Sequence, residues 1–249
     1  MKLTKDDVLN LINIKRPISI VRVGDGEGLV LKSGNSLQAY KQCIESVMKR
    51  QMGYEPTLTD VEAIRENLQL AYKGADVVGV PMHSNLPELG KHWTEVQAVV
   101  EPFCTTNKRC STDVFYDLLY TGELNEFISK QHTINYIGCR DIDDGLRRLG
   151  VKLVNSYIIA PEAKFTTGYT GLNHYPEQFN QMEWWMNAAP CENVVCLVGA
   201  GVIGKIYCNW FRDRGGIALD VGAVMDLWAG KATRGPLRGL DAENEKYKL

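Results

Sequence analysis

Six short apolar runs, several of them rich in Val and Ile, recur along this chain at residues 18–23, 76–81, 133–138, 152–160, 193–198 and 216–221, and stretches with helical periodicity lie between them. Several of the runs lack polar–apolar alternation, which is the pattern of strands covered on both faces. The intervening helices carry start and stop signals. Residues 5–13 place Val8, Leu9, Leu11 and Ile12 on one side, and 36–48 opens at Ser36. Residues 60–72 follow Thr59-Asp60-Val61-Glu62, a capping-box pattern. Residues 141–149 stop at Gly150, and 202–214 stop at Gly215-Gly216, as glycine-capped helices do. This order predicts an α/β, Rossmann-like fold with a mostly parallel sheet flanked by helices. With 249 residues, a single domain over 1–249 is expected. Ligands of such sheets bind beyond the carboxyl ends of the strands.

Composition narrows the function classes. A net charge of −2 gives no global basic field for non-specific nucleic-acid binding. No apolar run approaches the roughly 20 residues needed to span a bilayer. The start, residues 1–7, has no apolar signal-peptide core and reads as a helix start. The seven cysteines are odd in number and contain no Cys-x-x-Cys pair. Cys139, Cys196 and Cys208 fall in apolar segments and are expected to be buried thiols, in a reducing, cytoplasmic setting. His83, His92, His132 and His174 are dispersed, without zinc-ligand spacing.

The first run ends in Arg22-Val23-Gly24-Asp25-Gly26-Glu27-Gly28. If the chain stays extended there, Asp25 and Glu27 point to the same side, and a divalent cation can take both. Glycine at 24, 26 and 28 leaves room for a large ligand near the backbone.

A second glycine segment, Gly199-Ala200-Gly201-Val202-Ile203-Gly204-Lys205, follows the fifth run and opens a helix. It admits three readings. Gly199, Gly201 and Gly204, with Asp220 ending the next run, match the dinucleotide fingerprint. Gly-x-x-x-x-Gly-Lys matches the start of a P-loop, but Ile206 stands where the magnesium-binding hydroxyl belongs. The third reading is a helix N-terminus that binds any diphosphate, that of a nucleotide sugar included. Only 27 residues follow position 222, too few to continue a dinucleotide domain, and the dinucleotide reading gives Asp25 and Glu27 no task.

Taken together, Arg-x-Gly-Asp-Gly-Glu near the first strand, Gly-Ala-Gly-x-x-Gly-Lys near the end, residues 215–222 (Gly-Gly-Ile-Ala-Leu-Asp-Val-Gly) and the continuation 224–231 resemble the GT-D-type glycosyltransferases. The resemblance covers most of the chain and is least secure over 82–190. It implies a Rossmann-like fold, a nucleotide-sugar donor and a metal held by an Asp-x-Glu motif, here Asp25 and Glu27.

Under that resemblance, Mn²⁺ or Mg²⁺ suits the hard carboxylate donors and would stabilise the departing diphosphate. Arg22 and Lys205 can add charge-assisted contacts. Gly24 and Gly26 let the donor approach, the 199–204 turn presents backbone donors, and Asp220 can accept from a ribose or sugar hydroxyl. Each has a structural alternative: Arg22 pairing with the carboxylates, a solvated Lys205, Asp220 capping a helix at 222–228. For a general base, His83, Glu162 and Asp226 are candidates. Residues 160–182, aromatic and aperiodic, are expected either to shape an acceptor-binding loop or to pack on the body. The expected function is transfer from a nucleotide-diphosphate sugar, a UDP-sugar, to a glycan, glycoprotein, lipid-linked sugar or modified nucleobase. An NAD(P)-dependent oxidoreductase and a non-catalytic nucleotide-sugar-binding protein are the alternatives.

Overall fold

The computed structural model describes residues 2–52, 56–81, 87–104, 108–162, 169–231, 233 and 247–249, and for 51 and 87–93 the backbone alone. Its strands are β1 (Ile18–Arg22), β2 (Val77–Val80), β3 (Arg109–Ser111), β4 (Thr133–Gly138), β5 (Leu153–Ile158), β6 (Val195–Gly199) and β7 (Ile217–Asp220). They form one sheet in the order β3-β2-β1-β7-β6-β4-β5, and every pairing is parallel. The helices are α1 (Lys5–Asn13), α2 (Asp25–Lys32), α3 (Leu37–Cys43), α4 (Leu58–Gly74), α5 (Pro87–Val100), α6 (Val114–Tyr120), α7 (Glu123–Ser129), α8 (Asp143–Arg148), α9 (Phe179–Ala188), α10 (Gly204–Asp213) and α11 (Val224–Trp228).

Two apolar cores sandwich the sheet. Alternate strand residues feed opposite faces: Ile18, Ile20, Val195 and Leu197 meet one layer, while Val21, Cys196 and Val198 meet the other. β1, β2, β4, β6 and β7 are buried almost throughout, which fits their lack of regular alternation, whereas β5 at the sheet edge is only half-buried. All six became strands, with ends moved by one or two residues. β3 was not anticipated, because Arg109-Cys110-Ser111 has no apolar run to announce it.

Local chemistry explains the shifted helix ends. The capping box forms at Thr57 and Asp60 rather than at Thr59, with each partner bonded to the other's backbone N–H. Ser36 caps α3 as expected, but the helix then widens into a π-helix at Ile44–Met52.

The larger correction falls on residues 25–28. They are not extended: Gly24 is the N-cap of α2, which starts at Asp25. Residues two apart on a helix do not share a face, so the geometric argument for paired carboxylates fails. Gly28 serves helix packing rather than ligand access, since a Cβ there would sit 3.2 Å from Val96 of α5.

Candidate active site

A cavity of about 440 Å³ opens beyond the carboxyl ends of β1, β3, β4, β6 and β7. Its wall includes Arg22 and Gly24–Glu27 from the first motif, and Gly199–Val202, Lys205 and Asp220 from the second. The two ends of the sequence therefore meet in space, because β1 pairs directly with β7, and β7 with β6.

At the cavity floor, four charges interlock. Lys205 Nζ lies 2.6 Å from Glu27 Oε1 and 3.1 Å from Asp220 Oδ2. It also donates to the Gly201 carbonyl at 3.0 Å. An ammonium has three protons, and these three acceptors use them all. Lys205 is only 5 % exposed, so the alternative of a solvated lysine gives way to a buried, fully paired one on the cavity wall. Glu27 Oε2 accepts from the Gly24 N–H at 2.9 Å, closing the cap of α2. Asp220 Oδ2 accepts from the Arg22 N–H at 3.1 Å, and Oδ1 lies 3.5 Å from Arg22 Nη2. Arg22 also donates to the Thr112 carbonyl at 3.2 Å.

The ion pairs shape the protonation. Burial alone disfavours every charge here, yet the Asp220 carboxyl is net lowered because Lys205 and Arg22 outweigh it. The Lys205 ammonium is net raised by Asp220 and Glu27 against the same burial. Asp220 is 1 % exposed and already engages Lys205 and Arg22. That disfavours the dinucleotide reading, which needs this carboxylate at the ribose.

Around the rim, Asp25 is exposed and lines the cavity. Asp226 of α11 is held by Arg140 Nε at 2.8 Å and by the Thr233 hydroxyl at 2.5 Å. It therefore orients Arg140, and both its oxygens are engaged. Glu162 lines the same wall. His83 lies outside the described residues. Arg140, Asp113, Tyr116 and Cys139 also line the cavity and were missed, although each follows the end of β3 or β4; the strand-end rule that selected His83 could have found those after β4. Cys139 is half-buried rather than fully buried.

Of the aromatic segment, residues 174–181 pack on the body. Phe179 meets Tyr207 and Trp210, and His174 Nε2 lies 3.0 Å from the Tyr207 hydroxyl. Burial depresses His174 from 6.5 to about 4. Between those values the unfolded chain binds a proton that the folded chain refuses, so stability falls as pH drops from 6.5 and the loss approaches about 3 kcal/mol near pH 4. Denaturant melts at pH 7 and pH 4.5 should show a smaller acid loss in His174→Gln than in the unaltered chain; equal losses would refute this assignment.

The carboxylate chemistry fits a hard dication. Among the described lining residues, six carboxylates (Asp25, Glu27, Asp113, Glu162, Asp220, Asp226) face three cations (Arg22, Arg140, Lys205). Such a wall repels a bare diphosphate, and oxygen donors suit Mg²⁺ or Mn²⁺. No three His, Cys, Asp or Glu side chains among the described residues form a cage by themselves, so ligand oxygens would have to complete any coordination shell.

The parallel sheet, the strand-end cavity and the glycine turn opening α10 define a Rossmann-like protein with a ligand site at the strand ends. The GT-D fold-like domain family matches residues 4–228. The chain belongs to this GT-D-like family and with it to the glycosyltransferases. No curated protein matches it in a sequence search. Solved structures show the same fold. One, described as domain of unknown function 1792 with a distinct glycosyltransferase fold, is 15 % identical with a TM-score of 0.58, covering 89 % of this chain and 77 % of its own. Another, described as a new glycosyltransferase from Streptococcus sanguinis, is 16 % identical with a TM-score of 0.57, covering 89 % and 80 %. A selenomethionine-substituted structure of domain 1792 aligns at 16 % identity and a TM-score of 0.59.

Proposed function

We propose that the chain is a metal-dependent glycosyltransferase that uses a nucleoside-diphosphate sugar, a UDP-sugar, as donor. One observation carries this: the acidic surplus of a cavity built from both family motifs. A diphosphate adds negative charge, so binding it there calls for a divalent cation at the Asp25–Glu27 segment. When bound, the cation supplies Lewis-acid stabilisation of the leaving diphosphate.

The chain's own residues do the rest. The turn Gly199–Val202 that leads into α10 lines the cavity, and the positive end of the α10 dipole favours a phosphate there. Arg140, held by Asp226, brings a fixed guanidinium to the opposite wall. The neutral, buried His174 contributes shape rather than a proton. Acceptors are glycans, glycoproteins, lipid-linked sugars or modified nucleobases. Among the described residues no helix is long and apolar enough to cross a membrane.

The test is turnover of UDP-sugars with Mn²⁺ or Mg²⁺ and again with EDTA. The proposal expects hydrolysis or transfer with metal and a loss of at least about tenfold with chelator. Equal turnover in both would remove the metal.

A further inference from the structure

We infer that the chain forms a two-fold dimer in which the outer edge of β5 pairs, antiparallel and centred on Asn155, with β5 of a second copy. This goes beyond the glycosyltransferase reading and does not depend on it.

The two edges of the sheet differ. At β3, Lys2 bridges Arg109 and the Leu3 N–H reaches the Arg109 carbonyl, so that edge is covered. At the other end, β5 pairs only with β4 among the described strands. The N–H groups of Leu153 and Ile159 reach back to carbonyls at His132 and Gly138, so alternation turns the N–H and C=O of Val154 and Ser156 outward. Side chains close the two ends of this edge. Arg147 Nη1 donates to the Lys152 carbonyl at 3.2 Å. Gln178 Nε2 donates to the Ile158 carbonyl at 3.3 Å, and its Oε1 accepts from the Ala160 N–H at 2.6 Å. The centre carries none of the usual edge guards: Leu-Val-Asn-Ser-Tyr-Ile has no charge and no proline.

The occupant follows from symmetry and charge. A two-fold axis through Asn155, perpendicular to the sheet, sets Val154 opposite Ser156 of the second copy, and each such pair exchanges both backbone bonds. It also sets Leu153, 54 % exposed, opposite Tyr157 of the second copy on one face. On the other face lies α8, the crossover between β4 and β5. It has Asp143 and Asp144 in its first turn and Arg147 and Arg148 in its last. Asp144 and Arg147 are exposed and, three apart, share a flank; the Arg147 bond to Lys152 puts that flank at the β5 edge. The same axis runs the two α8 helices antiparallel, so the acidic start of each meets the basic end of the other. With strands about 4.8 Å apart, helices seated over each β4–β5 pair lie roughly 10 Å apart, a helix-packing distance. The strand-end cavities then open at opposite ends of the dimer, and both stay accessible.

Sedimentation velocity of the full chain over about 1–100 μM tests this. The unaltered chain should run as a dimer, twice its 27.9 kDa. Ser156→Pro removes an outward N–H without touching the β4 ladder, and Leu153→Lys places a charge on an exposed edge position; each should weaken the dimer at least about tenfold. Asp144→Arg should weaken it by a similar factor, and Asp144→Arg combined with Arg147→Asp should recover it to within about threefold. These α8 changes are at exposed positions, where the fold tolerates substitution. A chain that stays monomeric throughout, or assembles beyond a dimer, overturns the proposal. So does a dimer indifferent to both β5 variants, or one that the exchanged charges fail to restore.

Discussion

Asp25→Ala is expected to lower metal-dependent donor turnover at least about a hundredfold, the several kcal/mol that Lewis-acid stabilisation of a leaving diphosphate supplies. Its melting temperature should stay within about 2 °C, because Asp25 is exposed and surface changes cost little. The helix start survives, since its cap is formed by Glu27 and Gly24 rather than by Asp25. Initial rates with a UDP-sugar and saturating Mn²⁺ check the first part, and thermal melts the second. Full activity in a folded Asp25→Ala protein would show that the cation, if used, is held elsewhere.

The second large effect concerns stability. Arg22→Met should lower the melting temperature by roughly 10 °C, because breaking a buried pair costs about 3–5 kcal/mol and each kcal/mol moves a domain of this size by about 2–4 °C. Asp220, 1 % exposed, would keep Lys205 but lose the guanidinium at 3.5 Å. Gly222 explains how tightly Arg22 is seated: its φ is +53°, and a Cβ there would fall 1.7 Å from Arg22 Nη2. Gly222→Ala should thus mimic Arg22→Met in direction. The measurement belongs near pH 7. With its pKa lowered, Asp220 contributes fully above its unfolded value near 4 and loses that contribution below it. With its pKa raised, Lys205 contributes below about 10.5 and loses that above it. A melting point unchanged in Arg22→Met would mean that the four-charge cluster adds no net stability.

The parallel sheet was legible because strands buried on both faces write mostly apolar runs without regular alternation, as β1, β6 and β7 do. β3 was invisible because three residues, two of them polar, leave no such trace. The site was half legible. Strand-end placement found Arg22, Asp25, Glu27 and Asp220, and sheet order brought them together. Their partners were not legible, because a pairing such as Glu27 with Lys205 spans 178 positions and depends on β1 lying beside β7. Nor did Gly-Asp-Gly-Glu announce a helix: glycines at 26 and 28 lower helix propensity, and tertiary packing of Gly28 against Val96 overrode it. The glycine turn at 199–204 fits NAD on local pattern, and sequence context already favoured a sugar nucleotide; the structure adds that Asp220 is paired with Arg22 and Lys205, a pairing the sequence did not announce.

The most direct test of the account is calorimetric titration of UDP into the full chain with Mn²⁺ and with EDTA, alongside NADH. The account predicts saturable UDP binding in Mn²⁺, its loss of at least about tenfold in EDTA, and no saturable NADH binding. Saturable NADH binding with no UDP binding in either buffer would contradict it.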